Sequence, residues 1–255
     1  MSRNEEVNVM DIPWYAVTGY YLFGFGLTLL AFGALNLFWG EYVLFSFSDL
    51  WSIDKSVGEG LANVWFIFAW AIAVPLVVGI IMRNEPKTYT SSEYLGTGAW
   101  VSLHAGIFEE LSYRWLRFSI AMILLPFMNW ILFGFVPGQT GLLRWAYESF
   151  LIPLANFTTF GALEDYLYYP ASWVVGAAII SANGNFQEAH EQNGWFSRIN
   201  AWFIGMVMFY LMFNYGLITA IVAHVVYDMI IFTMGAITNS WRPAYRSNSL
   251  FSLRT

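Results

Sequence analysis

Cysteine is absent from this 255-residue chain, and charge is scarce, with only 11% of residues being Asp, Glu, Lys or Arg. The first absence excludes disulfides, thiolate metal sites and cysteine nucleophiles, leaving Glu, Asp, His, Ser and Tyr to carry any chemistry. The second excludes an ordinary soluble domain, in which about a quarter of the residues are charged. Eleven Lys and Arg against seventeen Asp and Glu, a net charge of −6, provide no basic field for a polyanion. Nucleic acid is therefore excluded as a partner.

What the chain has in place of charge is apolar surface: 58% hydrophobic residues and 20% aromatic ones. Runs of about 20 such residues are long enough to cross a bilayer. The sequence therefore predicts one integral membrane domain over residues 1–255, an all-α polytopic transmembrane helix bundle of about eight helices, some of them broken or re-entrant. Its immediate partners are membrane lipids. Residues 14–39 form the first span, with Gly19, Gly24, Gly26 and Gly33 for close helix approach and Trp14 and Trp39 as interfacial anchors. This run is too long for a signal-peptide core and lacks a small-residue cleavage site, so it is retained. Residues 41–60 read equally as a surface amphipathic segment or a solvated loop.

Further spans are expected at 61–82, 94–117, 120–136, 199–213 and 217–237. Two weaker ones lie at 145–163, interrupted by Glu148, Pro153 and Asn156, and at 166–182, interrupted by Pro170. Residues 183–198 read as a polar connection and 238–255 as a polar tail. Eight crossings with both termini cytoplasmic would place Arg3, Arg83, Lys87, Arg144, Arg198, Arg242, Arg246 and Arg254 inside, against Lys55, Arg114 and Arg117 outside. That count sets Glu109 and His224 toward one side and His190 toward the other. If the three share a site, either 145–163 is not a simple crossing or 183–198 dips into the membrane.

The charges inside the apolar runs are the informative ones. Near the centre of a membrane helix an ionisable residue costs roughly 2.5 to 3.5 kcal/mol, so Glu109, Glu110 and Arg114 unpaired would together cost on the order of 8 to 10. On an α-helix Glu110 and Arg114 stand four apart in the favourable acid-before-base order. At 3.6 residues per turn Glu109 lies about 100° from Glu110. The expected arrangement is a Glu110–Arg114 ion pair turned away from the site, with Glu109 free for chemistry. A second polar pair, His224 and Asp228, shares one face of the last span, and Phe186 and His190 share a face in a third segment. His104, one and a half turns before Glu109, reads as a hydrogen-bonded interior histidine.

The three sets occur in order as Glu109-Glu110-(three residues)-Arg114, Phe186-(three)-His190 and His224-(three)-Asp228. This resembles the CPBP family of intramembrane proteases, which includes the type II CAAX prenyl endopeptidases and the Abi proteins, with its EExxxR, FxxxH and HxxxN/D pattern. The resemblance covers residues 94–237. It implies an intramembrane endopeptidase acting on a membrane-associated peptide or protein. In that scheme Glu109, helped by His190, activates water, and His224 with Asp228 stabilises the oxyanion. Glu110, Arg114 and Phe186 support them, and neither a metal nor another cofactor takes part. Asp228 stands where asparagine is commoner; an ionised aspartate donates no hydrogen bond, so it would be protonated or would orient His224. The stretch between Arg114 and His190 is longer than the family pattern, and its Glu148, Glu164 and Asp165 suggest an inserted element that lids the site or meets a partner.

Two other readings stay open. A non-catalytic descendant of the fold would serve as a scaffold or accessory subunit of a membrane complex. A metal-dependent membrane hydrolase would use His190, His224 and Glu109 or Asp228 as ligands, although the chain contains no HExxH motif.

Overall fold

A computed structural model of the chain describes residues 13–39, 51, 55–86, 90–190 and 194–243, and every element among them is helical. The helices are α1 (Trp14–Trp39), α2 (Val57–Asn63), α3 (Trp65–Ile81), α4 (Ser91–Glu109), α5 (Phe118–Asn129), α6 (Leu142–Ala146), α7 (Ile152–Thr158), α8 (Glu164–Leu167), α9 (Trp173–Ala189), α10 (Trp195–Tyr215) and α11 (Leu217–Ser240). Three π-helical segments, Glu110–Arg117, Trp130–Gly134 and Tyr147–Leu151, link α4 to α5, continue α5 and link α6 to α7.

Among the described residues Tyr94–Gly134, Trp195–Tyr215 and Leu217–Ser240 are long and apolar enough to cross a membrane, and α2 with α3, bent by 57°, makes a fourth if the pair is one span. This supports an integral membrane protein, with three or four full-length spans among the described residues. The expected spans 94–117 and 120–136 run together in one helical stretch, Tyr94–Gly134, which passes through the π segment at Glu110–Arg117 and kinks at Leu132 and Phe133, whose backbone angles are non-helical. The weak span at 145–163 is a helical run over 142–158, made of α6, the π segment Tyr147–Leu151 and α7, followed by a turn at 159–163.

The polar connection expected from residue 183 begins later than predicted. Helix α9 starts where the Ser172 side chain accepts a hydrogen bond from the Val174 amide at 3.3 Å. It then runs to Ala189, because Asn183 Nδ2 donates to the Trp202 carbonyl and Asn185 Nδ2 to the Ser181 carbonyl, both at 3.0 Å. These bonds engage both Nδ2 groups, while Asn183 Oδ1 is buried without a hydrogen-bond partner. The expected tail likewise starts late, since α11 continues through the buried Thr238 and Asn239 to Ser240, and Arg242 then donates to the Glu85 and Pro86 carbonyls.

Helix α11 is the central one, packed on α3, α4 and α10. Small residues set these approaches. A side chain on Gly106 of α4 would strike Val225, including its backbone nitrogen at 3.1 Å, so α4 and α11 touch backbone to backbone beside His224. In α1, by contrast, only Gly24 meets another helix, at Phe108; Gly19, Gly26 and Gly33 have no described atom within 4 Å. Most of residues 41–60 and the side chains of Trp14 and Trp39 lie outside the described residues, as do 244–255. The part of 41–60 that is described includes the start of α2, capped by Ser56, whose hydroxyl accepts from the Glu59 amide at 3.1 Å.

Candidate active site

The acidic motif lies where α4 passes into its first π segment. A π turn closes i to i+5 instead of i to i+4, so consecutive residues are separated by less than the 100° of an α-helix. Neighbouring Glu109 and Glu110 thereby reach the same imidazole. His224 Nδ1–H donates to Glu110 Oε1 at 2.7 Å, and Nε2 lies 3.7 Å from Glu109 Oε2. Asp228, one turn further along α11, brings Oδ2 to 3.6 Å from the same Nε2. Glu110 also carries the expected ion pair, 3.4 Å from its Oε2 to Arg114 Nε. It is not turned away from the site, because the widened turn and the backbone contact at Gly106 bring it under His224. The orienting role considered for Asp228 is filled by Glu110.

Burial divides the group. Glu110 and Arg114 side chains are wholly inaccessible and His224 is 5% exposed, whereas Glu109 and Asp228 keep 20% and 21% of their side-chain surface. The Arg114 guanidinium lies 3.9 Å from the Phe186 ring centre and 5.8 Å from that of Phe209. Phe186 therefore supports a cation on one side and both histidines on others, with its ring centre 4.5 Å from that of His190 and 6.2 Å from that of His224. Tyr113 meets it edge-on at 5.3 Å.

His190 caps α9, outside the segments that qualify as spans. Its Nδ1–H donates to the Phe186 carbonyl at 2.8 Å, which leaves Nε2 as an acceptor in the neutral ring. Burial holds its pKa below the ordinary 6.5, against the upward pull of the Phe186 carbonyl; His224 and Arg114 lower it further and Asp228 raises it. The arrangement therefore combines a partly exposed carboxylate, a neutral imidazole and an imidazole locked from behind by a second carboxylate. Together these groups can deprotonate a water and, when His224 carries a proton on both nitrogens, offer its Nε2–H to a developing oxyanion.

Glu109 and Asp228 thus each lie within 3.7 Å of His224 Nε2, and His190 joins them through Phe186. His104 does not join them: its Nδ1–H donates to the Trp100 carbonyl at 2.8 Å within its own helix. Glu148, Glu164 and Asp165 are exposed, and Glu148 pairs with Arg144 at 2.9 Å. Among the described residues no three His, Asp or Glu side chains are grouped to hold a metal ion. Sequence reasoning passed over Asn183 and Gly106; a polar amide following an apolar run, and a glycine three residues before Glu109, were the available signals. A cavity of about 930 Å³ opens elsewhere, between α3, the 158–163 turn and α10, lined by residues such as Ile67, Trp70, Phe203 and Met206 and by none of the candidate catalytic groups.

No protein-family model, curated protein or solved structure matches the chain.

Proposed function

We propose that this protein is an intramembrane endopeptidase of the glutamate type, as its resemblance to the CPBP family implies. The observation that carries this reading is one imidazole, His224, fixed through Nδ1 by the sealed Glu110 while its Nε2 faces two carboxylates that retain exposure. Glu109, helped by the His190 Nε2 lone pair, takes a proton from water as the new C–O bond forms at the scissile carbonyl. His224, as an imidazolium with a proton on each ring nitrogen, keeps Nδ1–H on Glu110 and donates Nε2–H to the oxyanion. Collapse breaks the C–N bond, and the proton held on the Glu109 and His190 side passes to the leaving amine. Asp228, an acceptor when ionised, steadies the Nε2–H between rounds. Peptides or proteins within or at the membrane are the substrate class.

The test is cleavage of membrane-anchored peptide libraries by the protein reconstituted in liposomes, beside Glu109→Gln. The wild type should cleave and the variant should not. A wild type that cleaves nothing, and instead purifies with stoichiometric partner subunits, would replace the enzyme with a scaffold. Zinc or iron at one per chain, with cleavage lost to a chelator, would replace it with a metal hydrolase.

A further inference from the structure

We infer that Gly205 is a positioning residue for His224, acting through Asn183, Arg114 and Glu110. A side-chain carbon at 205 would overlap Asn183 Oδ1 outright, approach Asn183 Cγ to 3.0 Å and come within 2.8 Å of Arg114 Nη2. Both head groups therefore occupy the volume that Gly205 leaves empty. Neither has slack to give. Asn183 is fully buried and tied through Nδ2 to the Trp202 carbonyl, on the same helix as Gly205. Arg114 is fully buried, packed on the Phe186 ring and within cation–π reach of Phe209. Its Nε faces Glu110 Oε2, and the other oxygen of Glu110 accepts the Nδ1 proton of His224. Four contacts thus lead from a glycine on α10 to the imidazole on α11. None of the groups in this relay faces solvent, so a shift at Gly205 is passed to the next side chain and not absorbed by water.

The bland alternative is that Gly205 only lets helices pack closely, as Gly79 does where α3 meets Thr238 of α11. Thr238 lies 14 residues beyond His224 along α11, about 21 Å away at 1.5 Å per residue. Gly79→Ala is therefore a matched packing lesion remote from the site. For its catalytic meaning the inference rests on the proposed hydrolytic site. Its test reads the imidazole and not cleavage, so a chain that cleaves nothing leaves it standing.

The experiment is nitrogen-15 NMR of full-length protein in detergent or nanodiscs, labelled at histidine. With three histidines in the chain, His104→Gln and His190→Gln assign the His224 resonances. In the wild type the His224 Nδ1–H should show the downfield, slowly exchanging proton of a buried bond to a carboxylate. Gly205→Ala should shift or abolish that signal, and Gly79→Ala should leave it in place at a comparable loss of melting temperature. Asn183→Asp, nearly the same shape with a carboxylate added beside Arg114, serves if Gly205→Ala does not fold. By drawing the guanidinium from Glu110 it should move the same resonance. A His224 signal unchanged in Gly205→Ala, or in Asn183→Asp where that variant is the one read, overturns the inference.

Discussion

On one side of the His224 ring, Glu110 sits with no exposure, 2.7 Å from Nδ1 and backed by Arg114; on the other, Glu109 and Asp228 sit about 3.6 to 3.7 Å from Nε2 with a fifth of their surface open. Glu109 and Glu110 are adjacent in sequence and identical in chemistry. What separates them is the company each keeps: Glu110 has a buried cation and the His224 proton, Glu109 a looser contact and a fifth of its side-chain surface exposed. In the proposed mechanism the sealed carboxylate, with both oxygens engaged, holds the imidazole, and the partly exposed one reacts.

That difference is tested most severely by exchanging each acid for its amide. Glu109→Gln should lower cleavage by about 10²–10⁴-fold, the usual contribution of a general base, and change the melting temperature little. Glu110→Gln should do more damage to the fold. It leaves Arg114 charged in a fully buried position, and breaking a buried pair in this way costs about 3–5 kcal/mol. Melting curves and rates measured on both variants should therefore fall in opposite patterns. Equal losses of stability would erase the distinction between the two faces.

Phe186→Leu probes the same division from the side. It removes the aromatic face under Arg114 and the ring on which His190 and His224 both pack. The expected cost is about 1–3 kcal/mol of stability with a reduced cleavage rate. A variant that melts like the wild type would mean that Phe186 supports neither the cation nor the histidines.

The order of the three motifs and the helical class were legible in the sequence, because hydropathy marks long apolar helices and a charge within them needs a partner. The shared imidazole was not. It depends on the π turn at Glu110, which an α-helical projection cannot represent, and on the contact of Gly106 with Val225, which is tertiary. Reading 183–198 as a polar connection failed for a related reason. Asn183 and Asn185 look like loop residues by composition, yet each finds a backbone carbonyl at 3.0 Å and remains helical. Arg114 was counted among the loop charges that set orientation, although it is wholly buried.

His190 adds a pH dependence whose sign is fixed by its burial. Its folded pKa lies below the ordinary 6.5. The neutral ring therefore contributes stability that is fully present above about 6.5 and is lost as pH falls through the lower folded value. Melting temperatures taken from pH 7 downward should drop more steeply for the wild type than for His190→Gln, which has no imidazole to protonate there. Cleavage should persist below pH 6.5 before its acid limb appears. Parallel melting profiles for the two proteins would contradict this account of the buried imidazole.

The smallest effect is expected at Asp228, and it sharpens the comparison most finely. Asp228 reaches the same nitrogen as Glu109 from nearly the same distance, with nearly the same exposure. If the open face works as a whole through its negative charge, Asp228→Asn should weaken cleavage much as Glu109→Gln does. If Glu109 alone is the base and Asp228 only steadies Nε2–H, the amide oxygen still accepts that proton, and the amide nitrogen adds a donor that an ionised carboxylate lacks. The rate should then stay within a few-fold of the wild type, about 1 kcal/mol or less in the barrier. The His224–Glu110 bond on the sealed face should remain unchanged. Cleavage rates for Asp228→Asn, Glu109→Gln and the double variant decide between these. A double variant no worse than Glu109→Gln, beside a nearly normal Asp228→Asn, assigns the base to Glu109. A loss at Asp228→Asn as deep as at Glu109→Gln would make the two carboxylates partners in one proton transfer.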